Sequence, residues 1–288
     1  MLTVWLLWAA VLLLIIATYS RIDPTGLYNV SRGGVAGGLS RALVELNFPI
    51  AFVALAVLLL SVDVLGGWAS FVAIPSGLLC LVTAYPGVVD QGDLDARPIN
   101  ALPALGVFGA VVLHGLALHR SGGDRAPARA GDRWRSVVAA AVAVLALPYV
   151  AAGAGVYLPD VVFLTGRRIT DAEGLVHAAV HHGHHHGFDG ALLMISALVL
   201  SRPLLRRPLL AAVTGGFLGL MFAYGTLLFV QDSWNEQIVA RGWTSWSIPS
   251  PILPGLRPVW LVIVVLAVAT AVALRIEARH DRHRRVGR

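Results

Sequence analysis

The sequence predicts an all-α polytopic membrane bundle of about eight transmembrane helices, and three observations carry that expectation. Hydrophobic residues make up 57% of the 288-residue chain and charged residues only 13%, against roughly 25% charged residues in a water-soluble domain. Several apolar runs reach the roughly 17 to 25 residues that a helix needs to cross a hydrocarbon core about 30 Å thick. Arginines collect in alternate connections between these runs, the pattern that orients membrane helices. The chain therefore reads as one multi-pass domain of the cell membrane, in direct contact with the lipid bilayer.

The first apolar run, Leu2–Tyr19, has no preceding basic residue and exceeds the short apolar core of a secretory signal, so a retained span is expected. Gly33, Gly34, Gly37 and Gly38 form a permissive segment ahead of the second span, Phe48–Leu65. The Walker spacing is missing there, which excludes a phosphate loop. The third and fourth spans are Trp68–Tyr85 and Ala101–Leu118. The single cysteine, Cys80, lies inside the third, so no intramolecular disulfide can form.

Ser121–Arg135 is rich in Gly, Pro, Ala and Arg without apolar periodicity. It predicts a linker over 119–135 between a first four-helix set, 1–118, and a second, 136–288. Within the second set the fifth span is Ser136–Ala154. The sixth is unusual, because the apolar run from Gly190 to Ser201 covers only about 18 Å as a helix, too little to cross. Its helix is expected to begin upstream, near Leu175, and to carry the histidine-rich segment 171–187. The seventh and eighth spans are Pro208–Val230 and Leu256–Leu274. Pro249, Pro251, Pro254 and Pro258 exclude a regular helix between them and predict a stiff lid. No repeat relates the two halves, so an inverted-repeat transporter architecture gains no support.

With both termini cytoplasmic, the inner connections hold 14 of the 22 basic residues and the outer ones eight, while the 16 acidic residues divide five to 11. The basic residues are all arginine and their placement satisfies the positive-inside bias, so the net charge of +6 implies no nucleic-acid partner. The Arg275–Arg288 tail reads as an anchor toward anionic headgroups.

Thr170–Glu173 has the form of a capping box that starts a helix. On that helix Glu173, His177, His181 and His185 recur at i, i+4 spacing, and His184 lies seven residues after His177, on the same face. Imidazoles so spaced can converge about 2 Å from one ion. His177, His181, His184, His185 and Glu173 are thus the candidate metal ligands, with zinc or copper the ions best suited to imidazole and carboxylate. Glu173 precedes the first histidine, so the order of a zinc peptidase motif is missing. HAAVHH, His177–His182, resembles one histidine box of the membrane di-iron desaturases and hydroxylases. That family uses several boxes facing the cytoplasm, whereas this chain has one, facing outward, and the family's activity does not carry over. Alternatives for the same histidines are an interfacial polar belt, a pH-responsive collar, or a haem axial ligand.

Asp90, Asp93, Asp95 and Arg97, and then Asp232, Asn235, Glu236 and Arg241, place further polar groups in the outer connections, where carboxylates could support a histidine site. Trp234, Trp243, Trp246 and Trp260 suit an interfacial belt. Glu45, Asn47, Asp63 and His114 are polar groups at or near span ends, where burial would be costly. Three functions compete: handling of a transition metal by capture, sensing or transport; a membrane metalloenzyme acting on a lipid or an exported molecule; and a non-enzymatic assembly subunit with pH-responsive histidines. Metal content separates the first two from the third, and turnover separates the second from the first.

Overall fold

The computed structural model describes residues 1–22, 30–90, 93–122, 128–170, 176–180, 186–252 and 257–286, with side chains as far as 281. Its first helix, α1 (Leu2–Tyr19), is apolar on all sides. Val4, Trp8, Val11 and Ile15, three or four residues apart, bury one stripe, while Leu6 and Leu13 stay exposed on the other. An exposed apolar face of that length is suited to lipid, not water. Then follow α2 (Gly34–Glu45), α3 (Asn47–Leu65), α4 (Ser70–Leu81), α5 (Ala101–Arg120) and α6 (Asp132–Gly153). A short antiparallel hairpin, β1 (Arg168–Thr170) with β2 (Val176–Ala178), precedes α7 (His186–Leu200), α8 (Pro208–Trp234) and α9 (Pro258–Val286). Among the described residues seven helices are long and apolar enough to cross a membrane, counting the 3-10 turns that flank α4. The protein is an all-α polytopic membrane bundle.

Three expectations need correction. Gly34–Glu45 is a helix, because Gly38 lets α2 lie against α1: a Cβ there would stand 2.8 Å from the Ile16 carbonyl oxygen. The sixth span is not one helix from Leu175, because the hairpin occupies 176–178, and the described part of α7 begins at His186. Those 15 residues are about 22 Å long, short for a lipid-facing span. The helix does not face lipid. Most of its residues are buried on every side, with α1, α3, α6 and α8 around it, as expected of a helix that is apolar all round. The third correction concerns His177, which lies on β2, paired with Ile169. His177 therefore does not stand on the helix that the i, i+4 spacing predicts, while Glu173, His181 and His185 lie outside the described residues.

Glycine sets the close crossing of α7 and α8. A Cβ on Gly190 of α7 would stand 2.5 Å from the Gly225 carbonyl oxygen of α8, and one on Gly225 would stand 2.7 Å from that of Gly190. Backbones at this distance bring the carboxylates at the adjacent helix ends near one another.

Polar contacts reveal which ends lie together. Asp63, at the end of α3, accepts the backbone N–H groups of Arg206 and Arg207 at 2.8 and 3.0 Å, satisfying donors ahead of α8. Arg129, before α6, donates to Asp281 of α9 at 2.7 Å. Burial of the amino terminus, and after it the field of Arg202, lowers the basicity of its ammonium. Both termini thus share one arginine-rich end, and the crossings of α1, α3 to α9 run between it and the opposite end.

Candidate functional site

At that opposite end the first turn of α7 meets the last turns of α2, α6 and α8. The backbone N–H of Gly187 donates to Asp232 of α8 at 3.2 Å. A helix start leaves such donors without intrahelical partners, and Asp232 supplies the acceptor from a neighbouring helix. Glycine leaves room for that acceptor: a Cβ on residue 187 would lie 2.6 Å from the Asp232 carboxylate and 3.0 Å from the Tyr149 hydroxyl, and would displace the carboxylate. Tyr149, on α6, shares a hydrogen bond of 3.0 Å with Ser233, and its hydroxyl lies in the field of Asp232 and Glu236.

One turn into α7 stands Asp189, half-buried. The charges acting on it are those of Glu45 and Asp232, both of its own sign. Among the described residues Asp189 has no hydrogen bond or ion pair. A carboxylate in the first turn gains from the helix dipole, which accounts for an acid at this position. It does not account for two more acids facing it. Glu45 is held by Arg41 at 3.2 Å, with both side chains almost fully buried, and the Arg41 guanidinium lies 4.0 Å from the centre of the Tyr19 ring. Asp189 also acts on the Tyr224 hydroxyl, whose ring stacks with Trp260 at 6.0 Å and meets Phe48 edge-on at 5.9 Å. An acidic cluster thus sits above an aromatic floor. Carboxylates gathered this way favour holding a proton that relieves the repulsion.

The segment beyond Trp234 continues as a π-helical turn, Asn235–Val239, which places Glu236 toward Tyr149. Asn235 clamps the start of the proline-rich connection, exchanging hydrogen bonds with the Ile248 backbone at 3.1 and 3.3 Å. Trp234 donates to the Trp246 carbonyl at 2.9 Å, while Trp243 and Trp246 remain exposed, as an interfacial belt requires.

Of the five expected metal ligands, Glu173, His181, His184 and His185 lie outside the described residues. His177 is half-buried, with its Nδ1 3.0 Å from its neighbour's carbonyl, that of Ala178. Among the described residues no group of three or more His, Cys, Asp or Glu is arranged to hold a metal ion. The acids of 90–97 do not join the cluster. Asp95 accepts the Ser31 N–H at 3.2 Å, and Arg97 donates to the Gly87 carbonyl at 2.6 Å, tying loops together. Asp63 caps α8 at the far end. His114 is buried on α5, and its Nε2 has no hydrogen-bond partner among the described residues. Asp189, Arg41, Tyr149 and Tyr224 carried no signal in the sequence beyond Asp189 being an acid just after the histidine run. No family model, curated protein or solved structure matches the chain.

Proposed function

We propose that this membrane protein captures or senses a transition-metal ion at the opposite, outward-facing end of the bundle, with the histidine run as ligands and the acids beneath it as their support. The observation that carries the reading is the bond from Gly187 to Asp232. It joins the end of the histidine run directly to a carboxylate that faces Asp189. Carboxylates so placed steady imidazole N–H groups and offset the charge of a bound cation. Zinc and copper suit the donors. Capture or sensing is favoured over transport because α7 inward of Gly190 is packed with apolar side chains, and its Ser196 hydroxyl is taken by the Trp8 indole N–H at 3.0 Å.

The test is the metal content of the purified protein without an affinity histidine tag, followed across His181→Ala/His184→Ala/His185→Ala and Asp189→Asn. The expected result is stoichiometric zinc or copper in the wild type, abolished in the triple variant and weakened in Asp189→Asn. Binding should fade below about pH 6, where protons compete for imidazole. A metal-free wild type after growth with zinc and copper would sink the proposal. Orientation is checked by single-cysteine labelling in a Cys80→Ser background: position 93 should react from outside intact cells, position 124 should not.

A further inference from the structure

A groove of about 450 Å³ opens between α8 and α9 at the arginine-rich end, and its construction is independent of the histidine site. Its walls include Leu204, Pro208, Val268 and Ala271. Gly215 and Gly216 also line it, and no atom comes within 4 Å of the Cβ that either could carry. Elsewhere in this bundle glycine allows backbones to touch; here two consecutive glycines leave space. On the floor Thr214 is fully buried, and its hydroxyl has no hydrogen-bond partner among the described residues.

The rim is cationic. Arg275 and Arg279, one turn apart on α9, border the groove and are exposed. Among the described residues neither has an ion pair or hydrogen bond. Arg129, which also borders it, is saturated by Asp281, Glu277 and the Ser201 carbonyl. From Pro258 to Arg275 α9 rises about 26 Å, so a span that starts at one face brings Arg275 to the other boundary of a hydrocarbon core about 30 Å thick. Arg279 stands about 6 Å farther along the helix, at headgroup depth.

We infer that this groove holds one anionic phospholipid, its acyl chain along Gly215, Gly216 and Ala271 and its phosphate between Arg275 and Arg279. Apolar walls select a chain, and two unpaired guanidiniums at headgroup depth select negative charge. At about 1 kcal/mol per basic residue near a membrane surface, two give a preference for anionic over zwitterionic lipid of roughly thirtyfold at low salt.

The experiment follows thermal unfolding of the full chain in a neutral detergent, titrated with phosphatidylglycerol, phosphatidylcholine or inorganic phosphate. Phosphatidylglycerol should reach half-effect at a roughly thirtyfold lower concentration than phosphatidylcholine, and phosphate should have no effect. Arg275→Gln/Arg279→Gln should erase the preference while keeping the response to phosphatidylcholine, which shows that the variant folds. Gly216→Leu, with both charges intact, should weaken both lipids by filling the groove. Equal half-effects in the wild type, a preference that survives the double glutamine variant, or an undiminished response in Gly216→Leu would each overturn the assignment. Inorganic phosphate reproducing the effect of phosphatidylglycerol would overturn it in favour of a free anion.

Discussion

The two ends of the bundle handle buried charge in opposite ways. At the arginine-rich end every buried acid among the described residues answers a cation or a row of backbone donors. Arg129 meets Asp281 at 2.7 Å and Glu277 at 3.3 Å, Arg135 meets the same Glu277 at 2.7 Å, and Arg202 meets Asp132 at 2.6 Å. That last pairing, with its hydrogen bond, raises Arg202 above the ordinary guanidinium range. The contacts cross from the linker before α6 to α9 and to the α7–α8 turn, so they fasten chain segments far apart in sequence. At the opposite end Asp189 lies in the field of Glu45 and Asp232, acids of its own sign, and Glu45 is held by the Arg41 guanidinium. Fully paired charge holds a structure together. Like charges gathered on neighbouring helices raise its energy until a cation or proton arrives, which is the arrangement expected of a site.

Removing a charge at each end should therefore have opposite signs. The largest effect is expected for Arg129→Ala, which leaves Asp281 without its nearest cation and frees the carbonyls of Ser201 and Arg202. Breaking a buried pair by removing one partner costs about 3 to 5 kcal/mol, readable as a lowered midpoint in denaturant-induced unfolding of the detergent-solubilised protein. Should Arg129→Ala unfold at the wild-type midpoint, the network would not be the fastening described.

Asp189→Asn sharpens the contrast. It removes one of three facing carboxylates without changing shape, so the metal-free protein should gain about 1 kcal/mol by the same unfolding measurement, while losing cation affinity. A loss of stability on this substitution would mean that the site holds its charge at no cost, and the distinction between the two ends would fail. The smallest effect belongs to Asp160→Asn. Arg241 approaches Asp160 only at 4.0 Å, and the Asp160 side chain is 40% exposed, so the pair stands at the surface of the same end. Its loss should change the midpoint by less than about 0.5 kcal/mol. A larger change would show that the surface charges there are coupled to the buried cluster.

The spans whose apolar residues run long enough were legible before any coordinates. Asn47–Leu65 and Ala101–Arg120 begin within a residue of their expected starts, because hydrophobic length is a local property and breakers such as Gly66 mark where it ends. The histidine segment was legible as composition but not as geometry. Thr170 and Glu173 have the spacing of a helix start, yet Thr170 pairs with Val176 in a hairpin. A capping box is a weak local preference that a strand pairing can override.

Composition and hydropathy along the chain suffice for a bundle of membrane helices with most of its arginines at one end, since transfer of apolar and charged side chains between lipid and water depends on each residue's own chemistry. Only the folded arrangement encloses the short α7 among its neighbours, sets Gly190 and Gly225 where α7 meets α8, and brings Glu45 and Asp232 into electrostatic range of Asp189. Those residues are separated by more than a hundred positions in the chain or lie on different helices. No local pattern encodes their approach, because it depends on which helix faces fit together and on where glycine lets backbones touch.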